Sequence, residues 1–369
     1  MSGEGEEQAA RALVDEGNVW LRQEQYARAL ALYEEVLQRF ADAPDPGVRV
    51  QVCRALVNKG IELVRQERFE EGYALYDEVV QRLSGEAEAM ARRVVSGALL
   101  NKALSLEKRG QLDACHALYD EMLQRLRGAS ETELRLLLAK ALLNKSILWG
   151  YHHRSEEALA LLDELVRCFG EAPEPGLREA VGRALLTRSS ILSLRLERSE
   201  EALALCEELV RRYSEAPEAE LRAIVVGALF NTANALLRLQ RLEQAVGLYA
   251  EVVRRADALG GRGLEATIAT SLVSQAFGLK YLGRLEETLP VHDEVIRRFE
   301  GADEAQLREQ VSEAWVSKAE TLEALNRPLE ALAVQARVMQ RLEALSSGET
   351  RPWVERALAL TARLRQHMS

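Results

Sequence analysis

The chain repeats itself about every 43 residues, eight times from end to end. The stretches LVNKGIELVRQERFEEGYALYDEV from Leu56, LLNKALSLEKRGQLDACHALYDEM from Leu99 and LLNKSILWGYHHRSEEALALLDEL from Leu142 align without a gap. A period of this length means stacked supersecondary units, because one unit alone cannot bury its apolar face and must lean on its neighbours.

One column fixes the register: Asp15, Asn58, Asn101, Asn144, Arg188, Asn231, Ser274 and Ser317, in steps of 43 except for one of 44 between Asn144 and Arg188. Eighteen residues further on, a second column reads Tyr33, Tyr76, Tyr119, Leu162, Cys206, Tyr249, His292 and Gln335. The signal is strong at the centre and fades toward the C-terminus, as expected where terminal repeats act as caps.

Composition agrees with helices. Only 23 Gly and 8 Pro occur in 369 residues, so helix breakers are scarce, and 47% hydrophobic with 29% charged residues is not the signature of disorder. No unbroken run of about 18 apolar residues is present, and the acidic start MSGEGEEQAA lacks the basic and apolar regions of a signal peptide. The expected location is the cytoplasm, and the excess of arginine over lysine suggests a GC-rich bacterial source. Cys53, Cys115, Cys168 and Cys206 form no CxxC pair and fall in apolar helical pattern, which predicts buried, reduced thiols.

Each unit reads as two antiparallel helices. In the second, Pro46 opens helix A, and Val52, Ala55, Leu56, Gly60 and Leu63 recur at three- and four-residue intervals. The pattern breaks at Gln66-Glu67-Arg68, restarts as helix B with Phe69, Tyr73, Tyr76, Val79 and Val80, and ends near Ser84-Gly85. No long linker separates domains, so residues 1–348 are expected to form one array of eight helix pairs. Residues 349–369 would add a C-terminal capping helix over the last repeat.

These residues resemble the tetratricopeptide repeat family. Its helix A carries a large apolar residue, a small one four later, then a large one, matched by Leu56, Gly60 and Leu63 or by Leu13, Gly17 and Trp20. Its helix B carries a small residue and an aromatic four later, matched by Gly72 and Tyr76, Ala29 and Tyr33, and Ala245 and Tyr249. The small residue permits close approach and the aromatic fills the gap. Units longer than the usual 34 residues are similar to those of kinesin light chain. The position after the asparagine, usually Leu in the family, is Lys59, Lys102, Lys145 and Lys318 here. The resemblance implies an all-α, right-handed superhelical solenoid.

Signs of catalysis are thin. The five histidines, His116, His152, His153, His292 and His367, show no HExxH or comparable spacing. Leu259-Gly260-Gly261-Arg262-Gly263 has neither the preceding strand nor the following Lys-Ser of a phosphate loop, and reads as a turn. The pairs Glu34-Glu35, Asp77-Glu78 and Asp163-Glu164 recur with the repeat, which marks a solvated helix B face rather than an acid–base dyad. No cofactor or metal site is expected.

In the family, A helices line a concave groove, and in some members an asparagine ladder there holds a peptide backbone. The matching positions are Asn58, Asn101, Asn144 and Asn231, and a carboxamide offers the donor and acceptor that one peptide unit needs. The alternative is that each asparagine bonds its own helix backbone. Seven residues on, two turns along the same face, stand Arg22, Arg65, Lys108, Tyr151, Arg195, Arg238, Tyr281 and Ala324. Arg11, Arg54 and Lys140 lie four before their anchors. Although the formal charge is −10, this face should be basic, unless its cations pair with neighbouring acids. The expected function is non-enzymatic binding of an extended acidic peptide, with Arg188 positioned to grip a carboxylate. A homo-oligomeric scaffold associating through its edges is the competing reading. Nucleic acid is disfavoured by the acidic total and the lack of a stacking platform.

Overall fold

The computed structural model describes residues 3–152, 154–261, 263–344 and 351–368. Its backbone contacts gather into two compact units, Met1–Val181 and Gly182–Ser369.

The first unit contains α1 (Gly3–Arg22), α2 (Tyr26–Phe40), α3 (Pro46–Arg65), α4 (Phe69–Arg82), α5 (Ala89–Lys108), α6 (Leu112–Leu126), α7 (Thr132–Tyr151), α8 (Ser155–Phe169) and the start of α9 (Pro175–Arg195). From α1 to α8 each helix packs on the next, and α1, α3, α5 and α7 also pack on one another in turn. Helix A is thus buried on three sides. That is why α3 and α5 carry long apolar tracts while α2 and α4 keep a single stripe. Pro46 opens α3 as the pattern predicts, with the Asp45 carboxylate accepting from the Val48 N–H at 3.0 Å.

The second unit holds the rest of α9 with α10 (Ser199–Tyr213), α11 (Ala219–Arg238), α12 (Leu242–Ala258), α13 (Glu265–Tyr281), α14 (Leu285–Phe299), α15 (Ala305–Ala324), α16 (Pro328–Ala344) and α17 (Arg351–Met368). From α10 to α16 each helix packs on the next, α11, α13 and α15 also pack on one another in turn, and α17 packs on α15 and α16. The single 44-residue step falls where α9 runs to 21 residues instead of 20. By length and composition α11 could cross a membrane, but half of its most apolar window is buried against neighbouring helices.

The turns from helix A to helix B share one left-handed residue. Glu24, Glu67, Gly110, Glu197, Gln240, Gly283 and Asn326 occupy one register position, and all have φ between 55° and 74°. The following residue's N–H returns to a carbonyl five back, as in Arg68 to Leu63 and Arg284 to Leu279, both at 2.9 Å, except after Glu197, where the Arg198 N–H returns six back to Leu192 at 2.9 Å. This closes the last turn of helix A in the Schellman manner. His153 shares the register but lies outside the described residues.

The tyrosine column is core. Tyr33, Tyr76, Tyr119 and Tyr249 are fully buried. A Cβ added at Gly17 would stand 2.5 Å from the Tyr33 ring, and one at Gly60 would stand 2.7 Å from that of Tyr76. The missing side chain on helix A is what admits the ring from helix B. Gln335 takes the position in α16 and turns it to another use, donating to the Ala357 carbonyl and, at 3.0 Å, to the Thr361 hydroxyl of α17.

Candidate functional site

Asn58, Asn101 and Asn144 sit mid-helix in α3, α5 and α7, half-buried. The Asn58 Nδ2 donates to Asn18 Oδ1 at 2.7 Å, and the same oxygen accepts from the Tyr33 hydroxyl at 2.8 Å. Asn231 of α11 donates to the hydroxyls of Ser189 and Ser190 on α9 at 3.0 and 2.8 Å. These two carboxamides therefore join neighbouring A helices instead of bonding their own backbone. Burial pushes the Tyr33 phenol up to about 12, against the pull of Asn58, and it raises the Tyr119 phenol beside Asn144 in the same way.

The cations divide into two sets. Arg54 donates to Asp15 at 2.7 Å and to Gln51 at 2.6 Å. Arg65 grips Glu62 through Nε at 2.8 Å and Nη2 at 2.5 Å, and lies 3.6 Å from the Tyr26 ring centroid. The Glu62 carboxylate is 1% exposed, and the Arg65 hydrogen bonds hold it below its ordinary range. Arg22, Lys108 and Lys140 in the first unit are exposed and make no ion pair among the described residues, and the same holds for Arg195 and Arg238 in the second. Tyr151 is exposed and Arg188 half-buried.

The sequence also carries a signal that column reading of the A helices alone passes over. The lysine that follows four of the eight anchors, Asn58, Asn101, Asn144 and Ser317, reaches back 25 residues to the acidic doublet of the preceding helix B. Lys59 meets Glu34 at 3.1 Å and Lys102 meets Asp77 at 2.5 Å, while Lys145 pairs with Asp120 and Lys318 with Asp293. The doublet's second acid takes the arginine four residues on: Glu35 with Arg39 and Glu78 with Arg82 at 2.6 Å, Glu121 with Arg125 at 2.8 Å. The doublets are thus inter-helix clamps.

Three cysteines, Cys53, Cys115 and Cys206, are buried, but Cys168 is exposed, because it falls on the outward side of α8. His152 is exposed and His292 is buried. The Gly-rich stretch is the turn from α12 to α13, with Gly260, Gly261 and Gly263 at positive φ, and Arg262 lies outside the described residues.

A model described as tetratricopeptide repeat matches residues 227–257, which hold most of α11 and α12. No curated protein matches the sequence. Among solved structures, the apo form of RapI superposes with a TM-score of 0.63 at 10% identity, over 97% of this chain and 99% of that one. PH0952 from Pyrococcus horikoshii, a signal transduction ATPase with a tetratricopeptide repeat sensor, gives 0.62 at 13% identity, covering all of this chain and 56% of its own. Aspartyl phosphate phosphatase F from Bacillus subtilis gives 0.50 at 14%, over 99% and 94%. At these identities the likeness is one of fold. The repeat read from the sequence, the unit at residues 227–257 that the tetratricopeptide repeat model matches, and the shared all-helical architecture agree on a fold of stacked tetratricopeptide-like helix pairs.

Proposed function

We propose that this chain is a non-catalytic interaction module whose A-helix faces hold an extended, acidic segment of a partner protein. The observation that carries the reading is the set of exposed cations that make no ion pair among the described residues, Arg22, Lys108 and Lys140 in one unit and Arg195 and Arg238 in the other. On the B helices, Glu34, Asp77 and Asp120 are engaged by Lys59, Lys102 and Lys145. The half-buried carboxamides of Asn101 and Asn144 stand in the same rows, where each backbone contact would contribute about 0.5–1.5 kcal/mol. Arg54, Arg65, Arg188, Tyr151, Asn58 and Asn231 border those rows and shape them.

The test selects peptides from a random displayed library on the whole chain, then titrates them against a variant with Arg22, Lys108 and Lys140 changed to Glu. The expected peptides are rich in Asp and Glu, and the variant binds them about tenfold or more weakly at low salt, with the gap closing as salt screens exposed charge. Undiminished binding to the variant, or peptides without acidic enrichment, would overturn the reading. A stable self-associated mass that the substitutions leave unchanged would favour the homo-oligomeric scaffold.

A further inference from the structure

The column that holds Tyr33, Tyr76, Tyr119 and Tyr249 is interrupted at Leu162, Cys206 and His292, and a cavity lies beside the last of these within the second unit. Where Tyr33, Tyr76 and Tyr249 fill the space beside helix A, α14 offers the smaller His292. A cavity of about 530 Å³ remains, bordered by Phe277, Lys280 and Tyr281 of α13, His292, Glu313 of α15 and Arg356 of α17.

Its rim is aromatic and open. Phe277 and Tyr281 are 47% and 65% exposed, with ring centroids 4.5 Å apart. Large aromatics left in solvent, one turn apart, need a reason in a chain with 5% aromatic residues. The floor is polar and unsatisfied. His292 is 4% exposed, and its Nδ1 has no hydrogen-bond partner among the described residues.

The charges single out one acid. Lys280 and Arg356 both pair with Glu320, at 3.5 and 2.8 Å. Glu313 makes no hydrogen bond or ion pair among the described residues. Desolvation raises its carboxyl above the ordinary range, Arg356 opposes the rise, and Glu309 and Glu320 add to it. A positive group entering beneath the aromatic rim would answer that acid, and the ring faces would attract the same charge.

We propose that this cavity is a second binding site, which takes the ammonium or guanidinium of a lysine or arginine side chain on a partner segment, held over Phe277 and Tyr281 and against Glu313. It does not rest on the acidic-segment reading, which concerns other residues and the opposite charge.

The test uses the whole chain and four capped tripeptides, Ala-Xaa-Ala with Xaa arginine, lysine, norleucine or glutamate, followed by ligand-observed NMR. The two cationic probes should bind about tenfold or more tightly than norleucine, the size expected of a partly desolvated cation over an aromatic face. Glu313→Gln and Phe277→Ala should each weaken the cationic probes several-fold. His292→Tyr, which restores the ring found elsewhere in the column, should remove binding by filling the cavity. Should that variant fail to fold, the other two, at half-buried and exposed positions, still decide. Equal binding of norleucine or glutamate, undiminished binding to Glu313→Gln, or no binding of any probe would overturn the proposal.

Discussion

Lys145 of α7 donates to the carboxylate of Asp120 on α6, and the two ends of this pair live in different surroundings: the lysine side chain is 4% exposed, the aspartate 65%. The lysine stem is packed in the interior, with its ammonium 4.4 Å from the Trp149 ring centroid, and a single accessible acid neutralises it. The family resemblance puts Leu at this position. The lysine can stand there because helix B of the preceding unit supplies an acid 25 residues earlier.

The first prediction follows from that asymmetry. Asp120→Ala leaves a buried ammonium unanswered and should destabilise by about 1–3 kcal/mol. Lys145→Leu removes the charge itself, keeps the volume, and should change stability by less than about 1 kcal/mol. Denaturant melts of the two variants check this, and a larger loss for Lys145→Leu would contradict it.

The second concerns the fit of Tyr76 to Gly60. Tyr76→Ala should cost about 3–5 kcal/mol, as loss of a fully buried aromatic generally does. Gly60→Ala forces a Cβ to 2.7 Å from the ring and should also destabilise. Combined with Tyr76→Leu, however, Gly60→Ala should cost less than it does alone, because the atoms it strikes are gone. Additive losses in a double-mutant cycle would show that ring and glycine do not meet.

The helix pairs were legible because the repeat prints the same apolar stripe and the same break in every unit. The backbone of the break was not. Gly110 and Gly283 announce a left-handed residue, whereas Glu67 and Gln240 adopt it without any such mark, held by the closing hydrogen bonds of the preceding helix. The candidate site was legible as columns, but its wiring was hidden. The partner of Asn58 is Asn18, at a register position where an asparagine recurs only as Asn234, so no column displays the bond. Lys108 and Arg65 share a column yet differ in state. Arg65 has Glu62 three residues before it, whereas Lys108 has Ser105, whose hydroxyl is engaged with that of Tyr73 at 2.8 Å.

That difference supplies the third prediction. Arg65→Glu places a second carboxylate beside the buried Glu62 and should lower the denaturant midpoint clearly, while Lys108→Glu should leave it in place. Charge reversal at Lys108 is therefore the cleaner probe of binding. Equal midpoints for the two variants would mean that Glu62 finds another partner when Arg65 is lost.

The last prediction concerns acid. Burial holds the His292 imidazole down at about 4 from the ordinary 6.5; Asp293 pulls the other way, and the nearby cations Lys280 and Lys318 push it lower still. Above pH 6.5 neither the folded nor the unfolded chain protonates this ring, so it adds no slope to stability. As pH falls from about 6.5 to about 4, the unfolded chain takes the proton and the folded chain does not, so stability is lost progressively. The whole loss should be about 3 kcal/mol, and below pH 4 this group contributes no further slope. His292→Tyr has no ionisation in that window. The stability of the tyrosine variant relative to the natural chain should therefore rise steadily between pH 6.5 and pH 4 and stay level from pH 6.5 to pH 8. Denaturant melts across that range give the difference directly, since the carboxylates that titrate in both proteins cancel. A difference that does not change with pH would mean that the ring takes up a proton in the folded protein as easily as in the unfolded one, and that water or an acid reaches the Nδ1 on the cavity floor.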